Sequence, residues 1–363
     1  MGASPLQLGL LNSLGGIAGA LVSVPTGRFA DRHGIKKTFL LGTPLMALGA
    51  LLFAFAQEWI VLIPAIIVST LALRIVMTAC PMVCGRCLAN QERARGMQLC
   101  DTLSAVPRLV APILSMFLIT AFGGLTAQGI RPLYVLQFVG LFIIAVVVFW
   151  QFSDPIRTPK SSERSTSFLS DIHEVIESNV MVKRWIFYIC LSTIPMYVNT
   201  TFVPLYVAEV KNADQYIISG MASAATLLPL ILSIPVGWLA DSIGRKKVIY
   251  LGTPLYCLSF LLLIFASDPV ILLLSGIFQG VFMLTAVTQG AMTAELVPQH
   301  LLGRWLGLLG LFRGVISVIT PGIGGILWVT LNPESLFILI LVTQVLKIVV
   351  LLPIPETLSK RAG

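Results

Sequence analysis

Charge is the first thing this chain lacks. Of its 363 residues, 11% are Asp, Glu, Lys or Arg, under half the ~25% usual in soluble domains. Acids are the scarcer sign, 16 against 24 basic residues. Histidine is nearly absent: His33, His173 and His300 are the only three, and each falls in a segment between apolar runs. Cys80, Cys84 and Cys87 share one helical face by spacing, but no fourth ligand sits near them, so buried reduced thiols are the expectation and no metal is assigned. No Ser–His–Asp, Cys–His or metal-ligand set falls at one depth of the chain, which leaves no catalytic residue or cofactor to name and disfavours an enzyme. Hydrophobic residues make up 56% of the chain. No single core could bury that much apolar surface, so lipid is the expected solvent.

What the chain does have is long apolar runs. Eleven of them cover roughly 6–27, 38–56, 59–84, 97–122, 132–152, 183–207, 214–236, 248–266, 269–294, 305–330 and 334–354. Each approaches the ~20 residues that carry a helix across a ~30 Å hydrocarbon layer. Backbone groups in lipid must be satisfied within their own segment, so the fold class expected is an all-α polytopic membrane protein. The net charge of +8 follows from sidedness: eighteen of the 24 basic residues fall in alternate loops, while the opposite loops hold only Arg131 and Lys211. That asymmetry places the basic loops and the C-terminus in the cytoplasm, within a cytoplasmic (inner) membrane, and the N-terminus outside. Lipid is therefore the partner of the basic residues, and no nucleic acid is expected. No cleavable signal peptide is evident, because the first apolar run exceeds a signal h-region.

The chain also repeats itself. GRFADRHGIKK at 27–37 returns as GWLADSIGRKK at 237–247, and LGTPL at 41–45 returns at 251–255. Across 27–56 and 237–266, 16 of 30 residues agree at a constant offset of 210. Six runs separate the two clusters, so the building block is a six-helix unit repeated in parallel orientation. Three regions follow: an N-terminal bundle at 1–152, a linker at 153–181 and a C-terminal bundle at 182–363. The linker opens on SDPIRTPKSSERSTS, a flexible composition. It continues with Phe168, Leu169, Ile172, Val175 and Ile176 at helical spacing against Asp171, Glu174 and Glu177, an expected amphipathic interfacial helix. The second bundle holds six runs and the first holds five. A helix matching 183–207 would precede residue 1, so the first helix of a twelve-helix plan is expected to be missing, through truncation, a misplaced start or a true eleven-helix form.

Two six-helix halves, each carrying a G-x-x-A-D-x-x-G-x-K-K cluster between its second and third helix, resemble the major facilitator superfamily of secondary transporters. The resemblance covers the whole chain. Gly27, Ala30, Asp31, Arg32, Gly34, Lys36 and Lys37 match the motif in the first half, with Ile35 where the family usually has Arg. Gly237, Ala240, Asp241, Gly244, Arg245, Lys246 and Lys247 match it in the second, with Ser242 at one basic position. Physically, Gly27 and Gly237 permit close approach of a helix. Asp31 and Asp241 suit the positive end of a neighbouring helix. Gly34 and Gly244 allow a turn at φ > 0, and the basic run anchors to anionic headgroups. The resemblance implies a gating latch between halves, with Asp31 facing the helix start at Arg304 and Asp241 the start at Arg95.

Charges inside the spans point to a transport path, since each costs ~2.5–3.5 kcal/mol at a helix centre on insertion scales. Arg74 lies about 18 Å along its helix from Arg86, and Arg108 at a similar depth from Arg95. Asp101 is the one acid well inside a span and the one candidate there for a coupling proton, seven residues before Arg108 and about 10 Å away along the axis. Arg313 is shallower, Lys347 is expected to snorkel outward, and Glu209 and Glu295 read as interface residues. The resemblance assigns cavity lining to 59–84, 183–207 and 269–294. Tyr197, Asn199 and Thr200, and Gln279, Thr285 and Gln289, then supply uncharged hydrogen-bonding groups there, with helix–helix contact, the commoner use of polar residues in membranes, as the alternative for each. APILSM (111–116), PGIGG (321–325), PIPET (353–357) and PLYVAEV (204–210) give conflicting signals of transport direction. The expected function is alternating-access transport of a small molecule by a monomer, with an organic anion favoured by the arginines. A proton-coupled multidrug exporter and a non-transporting receptor on the same scaffold are the alternatives.

Overall fold

The structure, a computed structural model, describes residues 4–87, 93–152, 180–296 and 302–356. The linker and its expected amphipathic helix lie outside the described residues. Five helices come first: α1 (Pro5–His33), α2 (Ile35–Phe55), α3 (Leu62–Cys87), α4 (Arg93–Ala121) and α5 (Ala127–Gln151), with a short 3-10 turn at Trp59–Val61 before α3. Seven follow: α6 (Val180–Glu209), α7 (Gln215–Ile243), α8 (Arg245–Phe265), α9 (Pro269–Gln279), α10 (Val281–Glu295), α11 (Leu302–Thr330) and α12 (Glu334–Leu351). Eleven helical stretches among the described residues are long and apolar enough to cross a membrane, and they coincide with the eleven runs read from the sequence. The chain is an integral, multi-pass membrane protein.

One of those spans, Pro269–Thr293, is built from two helices. The junction is Gly280, where a Cβ would collide with the Ala225 carbonyl and come within 2.9 Å of Pro229 on α7. Backbone contact at this point requires glycine, and the helix steps there.

The chain divides into two compact units. Unit 1 comprises Met1–Pro107, Leu114–Glu163 and Ser317–Ile326; unit 2 comprises Arg108–Ile113, Arg164–Ile316 and Leu327–Gly363. In unit 1, α3 packs on α1 and α2, and α5 packs on α2. Small residues make this possible: Ala47, Ala50, Ala54, Ala65 and Ala72 are all buried. Gly49 lies against Ser69, and a Cβ on Gly42 would stand 2.8 Å from Val76. Within this unit, Gly325 brings α11 against α1, where a Cβ would lie 2.9 Å from the Leu6 Cα.

Unit 2 is filled differently. One apolar cluster joins Phe202, Tyr206, Tyr256, Phe260, Phe337 and Ile340. A second joins Trp185, Tyr188, Ile249, Trp305, Leu351 and Ile354. Tyr206 and Phe260 both meet Phe337, at centroid distances of 4.8 and 5.9 Å.

Four helix ends carry side-chain partners. Thr126 accepts from the Gly129 amide at 3.0 Å to start α5, and Asp214 accepts from Ile217 at 3.0 Å to start α7. At the opposite polarity, Arg131 donates to the Ala56 carbonyl at 2.8 Å, closing the end of α2. Lys211 donates to the carbonyls of Ile264 and Ala266 at 2.7 and 3.0 Å, closing the end of α8. Each cation meets the negative end of a helix dipole.

Candidate functional site

The basic cluster of unit 2 shows what its residues do. α7 ends at Ile243, Gly244 turns the chain at φ 109°, and α8 begins at Arg245. The same turn in unit 1 uses Gly34 at φ 94°. Both glycines sit where an L side chain is strained. The first amides of α8 have no partner within the helix. Glu356 supplies one: its carboxylate accepts from the amides of Arg245 and Lys246 at 3.1 and 3.0 Å. A Cβ at Gly244 would fall 2.6 Å from that carboxylate, so the glycine also makes room for the cap. Lys246 answers from the other side, donating to the Leu352 and Ile354 carbonyls at 2.7 Å each. Arg245 pairs with Glu295 at 2.6 Å and reaches Asp241 at 3.7 Å. One guanidinium thus ties the end of α7, the start of α8 and the end of α10.

Three expectations change or sharpen here. Gly237 was read as a close-approach site, yet among the described residues nothing lies within 4 Å of a Cβ placed on it. Glu295, read as an interface residue at a span end, is also the ion-pair partner of Arg245. The helix start in contact with a carboxylate is that of α8, and the carboxylate is Glu356, from the segment PIPET that was read as a weak signal of transport direction. In unit 1, Lys36 lies 5.8 Å over the Phe149 ring, and Lys37 is exposed, as is Lys247 in unit 2. The side chains of Gly27, Asp31, Arg32, Arg95 and Arg304 lie outside the described residues, and with them both halves of the expected latch.

The candidates of the transport path separate into packed and unpacked groups. Gln289 exchanges hydrogen bonds with Ser192 at 3.0 and 3.1 Å, buried between α10 and α6. Trp185 donates to Thr293 at 3.0 Å beside it. Gln279, also buried, donates to Ser275 at 3.4 Å on its own helix, directly before the break at Gly280. Thr285 bonds its own backbone at Phe282. These are uses in packing. Tyr197 and Asn199 are partly exposed on α6, and Thr200 is exposed. Among the described residues Asn199 makes no hydrogen bond.

Arg74 is partly buried on α3, its stem laid over Gly19 of α1, where a Cβ would stand 3.2 Å from Nε. Arg108 and Arg313 are exposed inside the spans Leu103–Ala121 and Leu308–Thr330. Arg313 interacts electrostatically with Tyr197 and Cys190 of α6. The Asp101 side chain lies outside the described residues, as do those of Cys80, Cys84 and Cys87. Lys347 corrects an expectation outright: it does not snorkel, and its side chain is 2% exposed inside unit 2. Gly19, Gly280, Glu356 and the burial of Lys347 were missed in the sequence. Only PIPET carried a readable signal.

A family model described as Major Facilitator Superfamily matches residues 1–228 and 187–363. An uncharacterised MFS-type transporter of Methanocaldococcus jannaschii is 34% identical over 33% of this chain and 31% of its own length. A second from that organism is 28% identical over 37% of this chain and 36% of its own. The chain thus spans about a third of the length of these curated relatives. Sugar efflux transporter A of Escherichia coli is 24% identical over 78% of this chain and 70% of its own. Among solved structures, the nucleoside transporter NupG superposes with a TM-score of 0.78 at 13% identity, covering 96% of this chain and 91% of that one. A D-xylose-proton symporter does so with a TM-score of 0.78 at 12% identity, covering 97% and 88%. Both likenesses are of fold.

Proposed function

We propose that this chain, which belongs to the major facilitator superfamily, is a secondary active transporter that moves a small polar solute by alternating access across the cytoplasmic membrane. The observation that carries the substrate reading is the pair Arg108 and Arg313, exposed within membrane spans. A guanidinium keeps its charge at any physiological pH. Facing lipid it would cost several kcal/mol, so such residues face water-filled paths or ligands. With Arg74 also inside a span and no described acid beside Arg313, an organic anion is the favoured substrate class.

The experiment is uptake and efflux of radiolabelled carboxylates by the purified protein in liposomes. Arg313→Gln and Arg74→Gln should each lower anion flux by at least tenfold, with the protein still folded. Unchanged flux in both variants removes the anion reading. A second reading is an uncharged, hydroxylated solute, in line with the names of the sugar efflux and D-xylose relatives. It is favoured by Asn199, Thr200 and Tyr197 on α6, which offer hydrogen bonds without charge. Sugar flux that survives Arg313→Gln and falls with Asn199→Ala selects it. Proton coupling through Asp101 belongs to the same proposal: Asp101→Asn should abolish the pH dependence of flux while binding persists.

A further inference from the structure

The interior of unit 2 is layered. Along the buried face of α12 the residues run Ile340, Gln344, Lys347, Leu351. Ile340 belongs to one apolar cluster and Leu351 to the other. Gln344 and Lys347 therefore form a polar step between two apolar ones, one helical turn apart on a common face. α12 packs on α8, and the Cys257 thiol of α8 lies close enough to feel the Lys347 ammonium.

This layer has unmet hydrogen-bonding capacity. Gln344 is 1% exposed, and among the described residues neither end of its amide has a partner. Lys347 has no described carboxylate beside it; the one ionisable group that acts on it is Cys257. The sequence explains why. Between residues 183 and 354 the acids are Glu209, Asp214, Asp241, Asp268, Glu295 and Glu334, and all of them sit at helix ends. No countercharge for Lys347 can come from the interior of this unit.

The unmet groups are mostly donors. An ammonium offers three N–H bonds, a glutamine amide two and a thiol a weak one. Against them stand the Gln344 carbonyl and the weakly accepting Cys257 sulfur. A buried cation without a partner is costly, and a donor-rich shell around it matches a small acceptor that also carries negative charge. We propose that Lys347 and Gln344, with Cys257 beside them, form an internal binding site in unit 2 for a small monovalent anion of the halide class. The anion neutralises the lysine and closes the polar layer, so it acts as a structural ligand. This site is independent of the transport reading, because Lys347 is not among the residues assigned to substrate.

The test uses the full chain, purified in detergent, and bromide as the probe. Thermal unfolding is followed in sodium bromide against sodium gluconate at constant ionic strength, and crystals grown in bromide are measured for anomalous scattering. The expected result is an apparent midpoint that climbs by ~2–4 °C between 1 and 100 mM bromide, through mass action on the folded state. An anomalous peak should lie between α8 and α12 at Lys347. Lys347→Met should abolish the bromide dependence and melt in gluconate at or above the wild type, since the methionine needs no counterion. Arg313→Gln should keep the dependence, which separates this site from any anion held as substrate. Equal midpoints in bromide and gluconate, or a bromide effect that persists in Lys347→Met, overturns the proposal. Should the methionine variant fail to fold, the anomalous map of the wild type decides: no peak at Lys347 means water or a neutral amine fills the layer.

Discussion

Helices α2 and α8 are copies in sequence and differ in what they pack against. At the offset of 210, Gly42 matches Gly252 and the LGTPL segment is retained, but Ala47 faces Cys257, Gly49 faces Ser259 and Ala50 faces Phe260. In unit 1 the small residues let α3 ride directly on α2, Ser69 against Gly49. In unit 2 the equivalent contact keeps a serine, Ser275, bonded at 2.8 Å to the Ser259 carbonyl, while Phe260 enters an aromatic cluster. The ends agree where the middles diverge. Ala56 and Ala266 are repeat-related carbonyls, and each is closed by a cation. The cation comes from α5 in one unit and from between α6 and α7 in the other. Retained sequence thus marks the turn and the helix ends, and the interior of each unit is solved separately. Arg131 and Lys211, the only two basic residues in their set of alternate loops, share this one task.

The comparison can be broken at its core, where the largest effects are expected. Phe260→Ala should cost ~3–5 kcal/mol by leaving a cavity between α8 and α12, read as the unfolding midpoint of the purified protein. The mirror change, Ala50→Phe, should cost ~1–3 kcal/mol by overpacking. If Ala50→Phe stabilises unit 1, its interior is looser than the buried alanines indicate. A smaller effect tests the turn. Glu356→Gln removes a charged cap from two amides of α8, and a loss of about 1–2 kcal/mol is expected. An unchanged midpoint would mean that water replaces the cap. The smallest effects sharpen the claim about helix ends. Arg131→Ala and Lys211→Ala should each cost about 0.5–1.5 kcal/mol, Lys211 the more because it holds two carbonyls. If only one of them matters, the two caps are not equivalent.

Much of this architecture was legible in the residues. The eleven spans follow from apolar length, and the glycine turns at Gly34 and Gly244 follow from the duplicated cluster. Contacts across the bundle were not legible. Glu356 lies 111 residues from the amide it caps, and no periodicity connects them. Gln279, Thr285 and Gln289 were read as cavity groups or helix–helix contacts, and their described hydrogen bonds go to neighbouring serines and to their own backbone. Polar residues in a lipid-embedded bundle serve packing and ligands with the same chemistry, so composition cannot separate the two uses. Lys347 was expected to reach outward because a long cationic side chain within a span can snorkel to the interface. Its direction was set instead by the face of α12 that turns into the unit.

Sequence alone determined that this chain spans a membrane, how often, and where its two copies of one module turn back on themselves. Those properties follow from local physics, since hydrocarbon obliges each span to bond its own backbone and a tight turn demands glycine. Tertiary structure alone decided which side chains face inward, which carboxylate meets which helix start, and that a lysine lies inside unit 2 with no countercharge among the described residues. Rotation of a helix about its axis depends on its neighbours, and a run that is apolar all round does not encode it.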